Sequence, residues 1–508
     1  MAKGSDRMMY LISISIGPVQ EFIAAARKTQ DLAAGSKLLG KIVEAAARTF
    51  PDPPQYGVFG PGRVFPTRVD GGGANKILAI VDEDPAAAAE RARTAAVEAL
   101  RRIWADQKLM LGKQWLLIDV ERAEAQIDAF LEVYGAWVPV DEDSYPEMRK
   151  KVEALLAGRK DLRDFAPAPG NDQRVAKSAL DPSRASVVSG RGELASPEKL
   201  RAHPLWLRSS ELLDGISLLK RLYGRGLADV VLSTRDLAQR SKEPEQMPRG
   251  EDDFEPEFPY YAILVADGDH MGERIGTFNT PEDHREFSQR LDSFASKAAE
   301  CIADQNGQSI YTGGDDVMAL LPVSTAVECA NKLSDLFLSA VAPEGGEKAT
   351  ISAGLAIVHY REPLSAGLAR ARTAERLAKE SGRERIAVAL DKRGGQPLVV
   401  TEEWPVKRLV EWPGRFASGE LAGRLPYKLR TLSEEWPNTP KGASSSETKQ
   451  NADALSAEVL RIIKRSQAAT GTSAQTVLDG FTIGGPQDLG NLVNLLIVAR
   501  FLGGALLA

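Results

Sequence analysis

Cysteine and histidine are scarce in this chain of 508 residues. The two cysteines, Cys301 and Cys329, form no CxxC pair, which excludes a disulfide framework and a cysteine zinc site and suits a reducing cytoplasm. Both sit in helix-like apolar patterns, so buried structural thiols are expected. The histidines are His203, His270, His284 and His359, none is followed by aspartate, and a His-Asp metal site is excluded. Positive charge is not in excess: 64 Lys+Arg against 70 Asp+Glu leave a net charge of −6, which argues against a generic polyanion binder and confines any nucleic-acid surface to a local patch. The N-terminal apolar run is too short for a signal peptide. The C-terminal "NLVNLLIVARFLGGALLA" is interrupted by Asn491, Asn494 and Arg500 and broken by Gly503-Gly504, so a buried final helix is expected rather than a membrane anchor. The chain reads as soluble, without a membrane partner.

A hydrophobic share of 43% can build ordinary globular cores, and the length points to about three or four domains. "MYLISISI" (9–16) alternates and is rich in isoleucine, a strand pattern. A helical stretch follows and breaks near Gly35-Ser36, where Ser36 is placed to cap a second helix. A strand at 75–81, a helix at 85–104, a short helix at 121–131 and a strand at 133–140 complete an α+β unit of ferredoxin-like order over 1–140. Residues 141–255 read as mainly helical and end in the Pro- and acid-rich linker "SKEPEQMPRGEDDFEPE". A second α+β unit, 256–395, opens with "YYAILVADGDHMGERIG". Its strands and helices follow the β-α-β-β-α-β order, with "IYTGGDDVMALLP" as the central hairpin. Residues 396–508 read as a helical domain with a polar loop at 438–452.

In that order the first strand and the central hairpin lie side by side, which brings Asp267, Asp269, Asp315 and Asp316 together. Carboxylates this close repel unless a cation neutralises them or some take up protons. Hard oxygen donors on a turn suit Mg²⁺ or Mn²⁺, which keep positions open for water and phosphate. Two such ions can activate a ribose 3′-hydroxyl and stabilise departing pyrophosphate. Gly313 and Gly314 permit a tight turn and close approach of a phosphate. Lys379, at a helix end, is within reach of a triphosphate. Each feature alone also fits an ordinary turn or helix terminus; their convergence makes the chemical reading. "GPVQ" (17–20) presents a helix N-terminus, a weak phosphate signal that also fits an ordinary helix start.

These segments together resemble a known family. "ISIGPVQEFIAAARKTQDLAAGS" is similar to the N-terminal motif of the large subunit of type III CRISPR effector complexes, particularly the Cmr branch. "YYAILVADGDHMG", "IYTGGDDVMALLP", "ISAGLAIVHYREPLSAGLARARTAERLAK" and "RIAVALDKRGG" resemble its second Palm (cyclase-like) domain in order and spacing. The resemblance implies two Palm domains with a helical insert and a helical tail. It implies synthesis of cyclic oligoadenylates from ATP when guide RNA pairs with target RNA, within a complex of other type III subunits. On this reading Asp267, Asp315 and Asp316 hold Mg²⁺ or Mn²⁺, with Asp315 and Asp316 catalytic. Gly268, Asp269, Gly313, Gly314 and Lys379 contact nucleotide, and Arg27, Asp31 and Ser36 of the first Palm domain lie near a second ATP.

Two departures matter. Many relatives begin with an HD nuclease domain, whereas this chain starts at the first Palm domain and has no His-Asp pair, so no HD-type DNase activity is expected. Relatives also often carry a cysteine zinc site between the Palm domains, and 141–255 contains no cysteine. The first Palm domain has no Gly-Gly-Asp-Asp and is expected to bind ATP rather than catalyse; its "GGGAN" (71–75) reads as a loop. The stretch 361–393 holds nine Lys/Arg against five Asp/Glu, a modest excess suited to a triphosphate or short RNA. The rival readings are a stand-alone nucleotide cyclase and a catalytically silent scaffold of the ribonucleoprotein.

Overall fold

The computed structural model describes residues 8–69, 75–111, 118–162, 175–188, 211–227, 231–243, 254–342, 348–394, 397–437, 444–466 and 481–506. Residues 71–74 of the "GGGAN" loop and most of the acid-rich linker fall outside the described residues. The fold is α+β, with two sheets that share one topological plan.

The N-terminal sheet has the order β2-β3-β1-β4, all antiparallel. Its strands are β1 (Met9–Gly17), β2 (Gly62–Phe65), β3 (Lys76–Val81) and β4 (Glu132–Val140). The first helices are α1 (Gln20–Ala24) and α2 (Thr29–Ala47). Next come α3 (Pro85–Met110) and α4 (Val120–Asp128), whose first turns are capped by Asp84 and Asp119. β2 escaped the sequence reading because it is four residues long, lies in a Pro- and Gly-rich stretch and is bulged between Arg63 and Phe65. The expected helix break at Gly35-Ser36 is corrected: α2 runs straight through both residues, and the chain breaks instead at 25–28. Gly35 is there for close packing, since a Cβ would stand 3.2 Å from Lys220 Cδ and 3.5 Å from Ile23 Cα. Pro18 precedes α1 through a cis peptide bond instead of opening its first turn.

Between the sheets lie α5 (Tyr145–Asp161), α6 (Gly215–Arg225) and α7 (Thr234–Arg240). α6 packs on α2, α3 and α4, so it belongs to the core of the first sheet.

The second sheet has the order β10-β9-β8-β5-β7-β6. Its elements are β5 (Tyr260–Gly268), α8 (Met271–Gly276), α9 (Pro281–Asp304), β6 (Gln308–Gly313) and β7 (Asp316–Pro322). They continue with α10 (Val323–Val341), β8 (Ile351–His359), α11 (Leu364–Glu380), β9 (Arg385–Leu390) and β10 (Leu398–Glu403). The run β8-β5-β7-β6 repeats the neighbour pattern β4-β1-β3-β2 of the first sheet. β9 joins β8 in parallel after the α11 crossover, and β10 pairs antiparallel with β9. β10 corrects the helical reading of everything after residue 396, since "LVVTEE" is a β-branched edge strand.

The remaining helices are α12 (Lys407–Ala417), α13 (Leu425–Glu435), α14 (Ser445–Ser466) and α15 (Pro486–Leu506). Half of the expected polar loop at 438–452 is the start of α14. Ser444 and Glu447 exchange backbone and side-chain hydrogen bonds there, a capping box that starts a helix in a polar sequence. α15 is long and apolar enough to cross a membrane by length and composition. It continues through Gly503, where a Cβ would stand only 2.6 Å from Pro413 O, so glycine permits the close approach. Leu489, Leu492, Leu495, Leu496 and Leu502 are buried, and the helix packs against α12 and α13.

Strand alternation divides the second sheet into two faces. Ala262, Leu264, Ala266, Val317 and Ala319 pack under α9 and α10. Tyr261, Ile263, Met318 and Leu320 belong instead to the core that includes α2, α6 and α11. The two units therefore share one hydrophobic core. A polar contact supplements it: His284 Nδ1 of α9 lies 3.0 Å from Tyr145 Oη of α5, and Arg285 Nε donates to Arg63 O at 3.2 Å.

Candidate active site

Gly313 and Asp316 face each other across β6 and β7, leaving Gly314-Asp315 as a two-residue loop. Gly314 has φ 64°, the left-handed region that a hairpin loop of this length demands and that side chains disfavour. Space is not the reason for glycine there, because a Cβ would meet nothing within 4 Å. At Gly268, which ends β5, the reason is space. A Cβ would stand 2.8 Å from Met271 Cγ, 2.9 Å from Asp315 Cβ and 2.9 Å from Phe337 Cζ. The end of β5 is thus pressed directly against the hairpin loop.

Asp267 and Asp316 share the face of Tyr261, Ile263, Met318 and Leu320 by strand alternation, the face turned toward the N-terminal unit. The two carboxyl groups act on each other electrostatically. Burial, then Asp267, then Asp315, push Asp316 up to about 9. Burial and the charge of Asp267 push Asp315 up to about 6. Without a metal, Asp316 at neutral pH therefore holds a proton against its neighbour. Lys379, in the last turn of α11, is ion-paired with Asp267, and its Nζ lies 2.9 Å from Glu375 Oε1. Burial opposes charge on Lys379, but its bonds to Asp267 and Glu375 win and hold it above the usual lysine range.

Three further groups bear on the cluster. The Tyr311 phenol of β6 is pushed up by burial and then by the charges of Asp316, Asp315 and Asp267, so it stays neutral beside them. Arg372 is pulled down by burial and feels the charge of Asp316. Glu375 pairs with Lys379. The signal for Arg372 and Glu375 was present, since they precede Lys379 by seven and four positions and so share its helix face. Tyr311 lies two positions before Gly313 in its strand.

Other residues named from the sequence lie elsewhere or serve the fold. Asp269 is buried and accepts from Ser352 Oγ at 2.7 Å, Thr350 Oγ1 at 2.8 Å and the Glu384 amide at 3.1 Å. It ties the loop after β5 to β8 and the loop before β9, and does not join the carboxylate group. Asp31 is buried in a bidentate pair with Arg221, Nε–Oδ1 2.7 Å and Nη2–Oδ2 2.8 Å. Apolar spacing around Asp31 could not reveal a partner 190 residues away. Arg27 is half-exposed, with Nη1 3.9 Å from Glu211 Oε1. Ser36 is a partly buried residue within α2. Among the described residues, no hydrogen bond or ion pair joins Arg27, Asp31 or Ser36 to the carboxylate cluster. α2 does pack against β6, the strand that leads into the hairpin.

The cluster offers hard oxygen donors whose affinity for protons is raised by burial and then by one another's charge, a crowding that a divalent cation would relieve. Among the described residues, no three His, Cys, Asp or Glu side chains converge as a ready cage. That suits an ion held by one or two carboxylates together with phosphate and water more than an all-protein site.

Known proteins resemble this chain in sequence and in fold. Residues 260–387 match the family model described as Cas10/Cmr2, second palm domain, and residues 11–56 match that described as CRISPR-associated protein Cmr2, N-terminal. The CRISPR system Cmr subunit Cmr2 of Pyrococcus furiosus (strain ATCC 43587 / DSM 3638 / JCM 8422 / Vc1) is 35% identical over 133 residues, covering 21% of this chain and 15% of that protein. The fold is similar to a chain of the apo type III-B Cmr-beta complex, with TM-score 0.73, 13% identity and coverage of 99% of this chain and 82% of that one. The same complex bound to cognate target RNA gives TM-score 0.69 at 14% identity, covering 99% and 83%. A Csm1-Csm4 cassette in complex with cA4 gives 0.52 at 14% identity, covering 97% and 70%.

Proposed function

We propose that this chain, whose residues 260–387 and 11–56 match Cas10/Cmr2 family models, is a type III large subunit of that kind and joins ATP molecules into cyclic oligoadenylates. The palm domain is of the nucleotidyl cyclase-like kind. The reaction is 3′–5′ nucleotidyl transfer with release of pyrophosphate, switched on when guide RNA pairs with target RNA in a complex of type III subunits in the cytoplasm.

The observation that carries this reading is the group of Asp267, Asp315 and Asp316 at one sheet end, with Asp315 and Asp316 pushed up by burial and mutual charge and Lys379 alongside. Asp267 and Asp316, with Asp315, would hold Mg²⁺ or Mn²⁺. The bound ion supplies neutralisation of triphosphate charge and polarisation of the attacking hydroxyl. Gly314 leaves its position in the hairpin loop free of a side chain, so phosphate can come close to the backbone there. Lys379 supplies a point charge to phosphate once Asp267 turns to the cation. Arg372 on the same helix face adds a second cation beside Asp316. The N-terminal unit closes the opposite side and offers the place for a second ATP. Two cyclase-like folds sharing one core also support the Csm1-like arrangement, since the relatives of similar fold include a cassette in complex with cA4 and one in complex with pppApA.

The test is to incubate the assembled ribonucleoprotein with labelled ATP and Mg²⁺, with and without target RNA. Cyclic oligomers that need target RNA and vanish in Asp315→Ala/Asp316→Ala support the proposal. Product from the isolated chain without RNA supports a stand-alone cyclase. No product under any condition leaves a scaffold.

A further inference from the structure

The end of the second sheet opposite the carboxylates carries cations interleaved with aromatic rings. β5 begins there at Tyr260, β8 ends at His359, and β9 ends at Leu390, shortly before Lys392 and Arg393. The rings form a connected row. His359 lies 5.3 Å from Tyr260, Tyr260 5.0 Å from Phe501 of α15, and Phe501 5.3 Å from Phe258, centroid to centroid. Lys392 Nζ stands 5.1 Å from the Phe501 centroid. The Arg500 guanidinium lies 5.4 Å from the ring centre of Tyr427 in α13, and its Nη1 donates to Tyr427 Oη at 3.1 Å. Arg430 follows Tyr427 by one helical turn. Acids outnumber bases in this chain, yet among the described residues no carboxylate pairs with Lys392, Arg393, Arg430 or Arg500. The acid next to Lys392, Asp391, is held by Arg370 Nη2 at 2.7 Å. Lys392 is pulled down by burial and then by Arg500 and Arg430, so these cations act on one another. The rings are open as well: Tyr427 is 45% exposed, and Phe501, Tyr260 and His359 are partly so.

We propose that this surface docks single-stranded RNA, with phosphates on Lys392, Arg393, Arg430 and Arg500 and an unstacked base on Tyr427. An acidic protein face would use the cations alone. A solvent-exposed ring held beneath a guanidinium is in addition a stacking platform, which a base uses and a carboxylate does not. A duplex hides the faces of its bases, whereas a single strand presents them. The net charge of −6 confines RNA to local surfaces where cations stand without counter-ions, and this is such a surface. Its place leaves ATP undisturbed. Tyr260 and the Asp267–Gly268 end of β5 are separated by the length of a nine-residue strand, about 26 Å. The docking does not depend on the synthesis of cyclic oligoadenylates, so either reading stands or falls alone.

The full chain is titrated with a fluorescein-labelled single strand of RNA of about 16 nucleotides over a salt series. The wild-type chain is also photo-cross-linked to the same strand carrying thiouridine and mapped by mass spectrometry. Expected are cross-links on the peptides that hold Tyr427 or Phe501, and RNA that excess ATP with Mg²⁺ does not displace. Lys392→Ala/Arg430→Ala/Arg500→Ala is expected to weaken binding at least tenfold at low salt and to flatten the log–log salt slope by about 2. Tyr427→Ser is expected to weaken binding about tenfold with the slope kept, and Tyr427→Phe to bind as wild type, because the ring does the stacking. Unchanged affinity and slope in the triple variant would overturn the proposal. So would cross-links confined to other peptides, RNA displaced by ATP, or polyglutamate bound as tightly as RNA of equal charge. The cross-link map needs no variant to fold.

Discussion

Lys379 and Asp267 are ion-paired across the end of the second sheet, α11 reaching over to the last residues of β5. In the absence of nucleotide the lysine neutralises one of three crowded carboxylates, so it is held where a triphosphate would need it. Lys379→Ala is expected to weaken ATP binding about tenfold, the loss of roughly 1.4 kcal/mol for one partly solvated charge–phosphate contact. Calorimetric titration of ATP in the presence of Mg²⁺ checks this; unchanged affinity retires the role.

Asp316 takes up its proton at about 9, far above a free aspartate at 3.8. The folded state then binds more protons than the unfolded state between those values, and stability falls as pH rises through that window. The slope is at most about 1.4 kcal/mol per pH unit and smaller in practice, since the site opens to solvent. Asp316→Asn is expected to flatten the slope and to be more stable than wild type near pH 8 without metal. It is also expected to lose product formation. Thermal unfolding in chelator from pH 5 to pH 9 measures the first effect, and parallel slopes would sink the argument.

Gly268 has no room for a methyl group: Met271, Asp315 and Phe337 all stand within 2.9 Å of its Cβ position. Gly268→Ala is expected to cost about 1–3 kcal/mol in overpacking and to displace Asp315. The measurement is denaturant unfolding together with turnover. A variant as stable and active as wild type would show that the hairpin gives way without consequence.

The α+β class and the meeting of β5 with the hairpin were legible because strand alternation and glycine-aspartate turns are local signals. The carboxylate cluster followed from strand order, which places Asp267 beside Asp316. What stayed hidden depends on distant partners. Asp31 looks like an open polar residue of a helix until Arg221 arrives from α6. Gly35 looks like a helix break until Lys220 packs over it. Asp269, two residues from Asp267, is satisfied by Thr350 and Ser352, and nothing in "ADGDH" separates their fates. β10 looked like part of a helical tail because an edge strand of six residues needs β9 to exist.

His284 joins the two units through Tyr145 and lies among cations. Burial, then Arg149, Lys76 and Arg285, pull it down to about 3 from an ordinary value of 6.5. Here the unfolded state binds more protons than the folded state between those values. Stability therefore rises with pH through the window and is lost as pH falls from about 6.5 toward 3. A neutral imidazole also suits the hydrogen bond between His284 Nδ1 and the Tyr145 hydroxyl, which a neutral ring makes in either tautomer. His284→Gln keeps a hydrogen-bonding side chain and removes the titration. It is expected to unfold at a lower temperature than wild type at pH 7 but to lose less stability between pH 7 and pH 5, where the wild-type slope approaches about 1.4 kcal/mol per pH unit for this one group. Unfolding monitored at both pH values decides it. Equal losses in the two proteins would mean that the junction between α5 and α9 does not govern acid sensitivity.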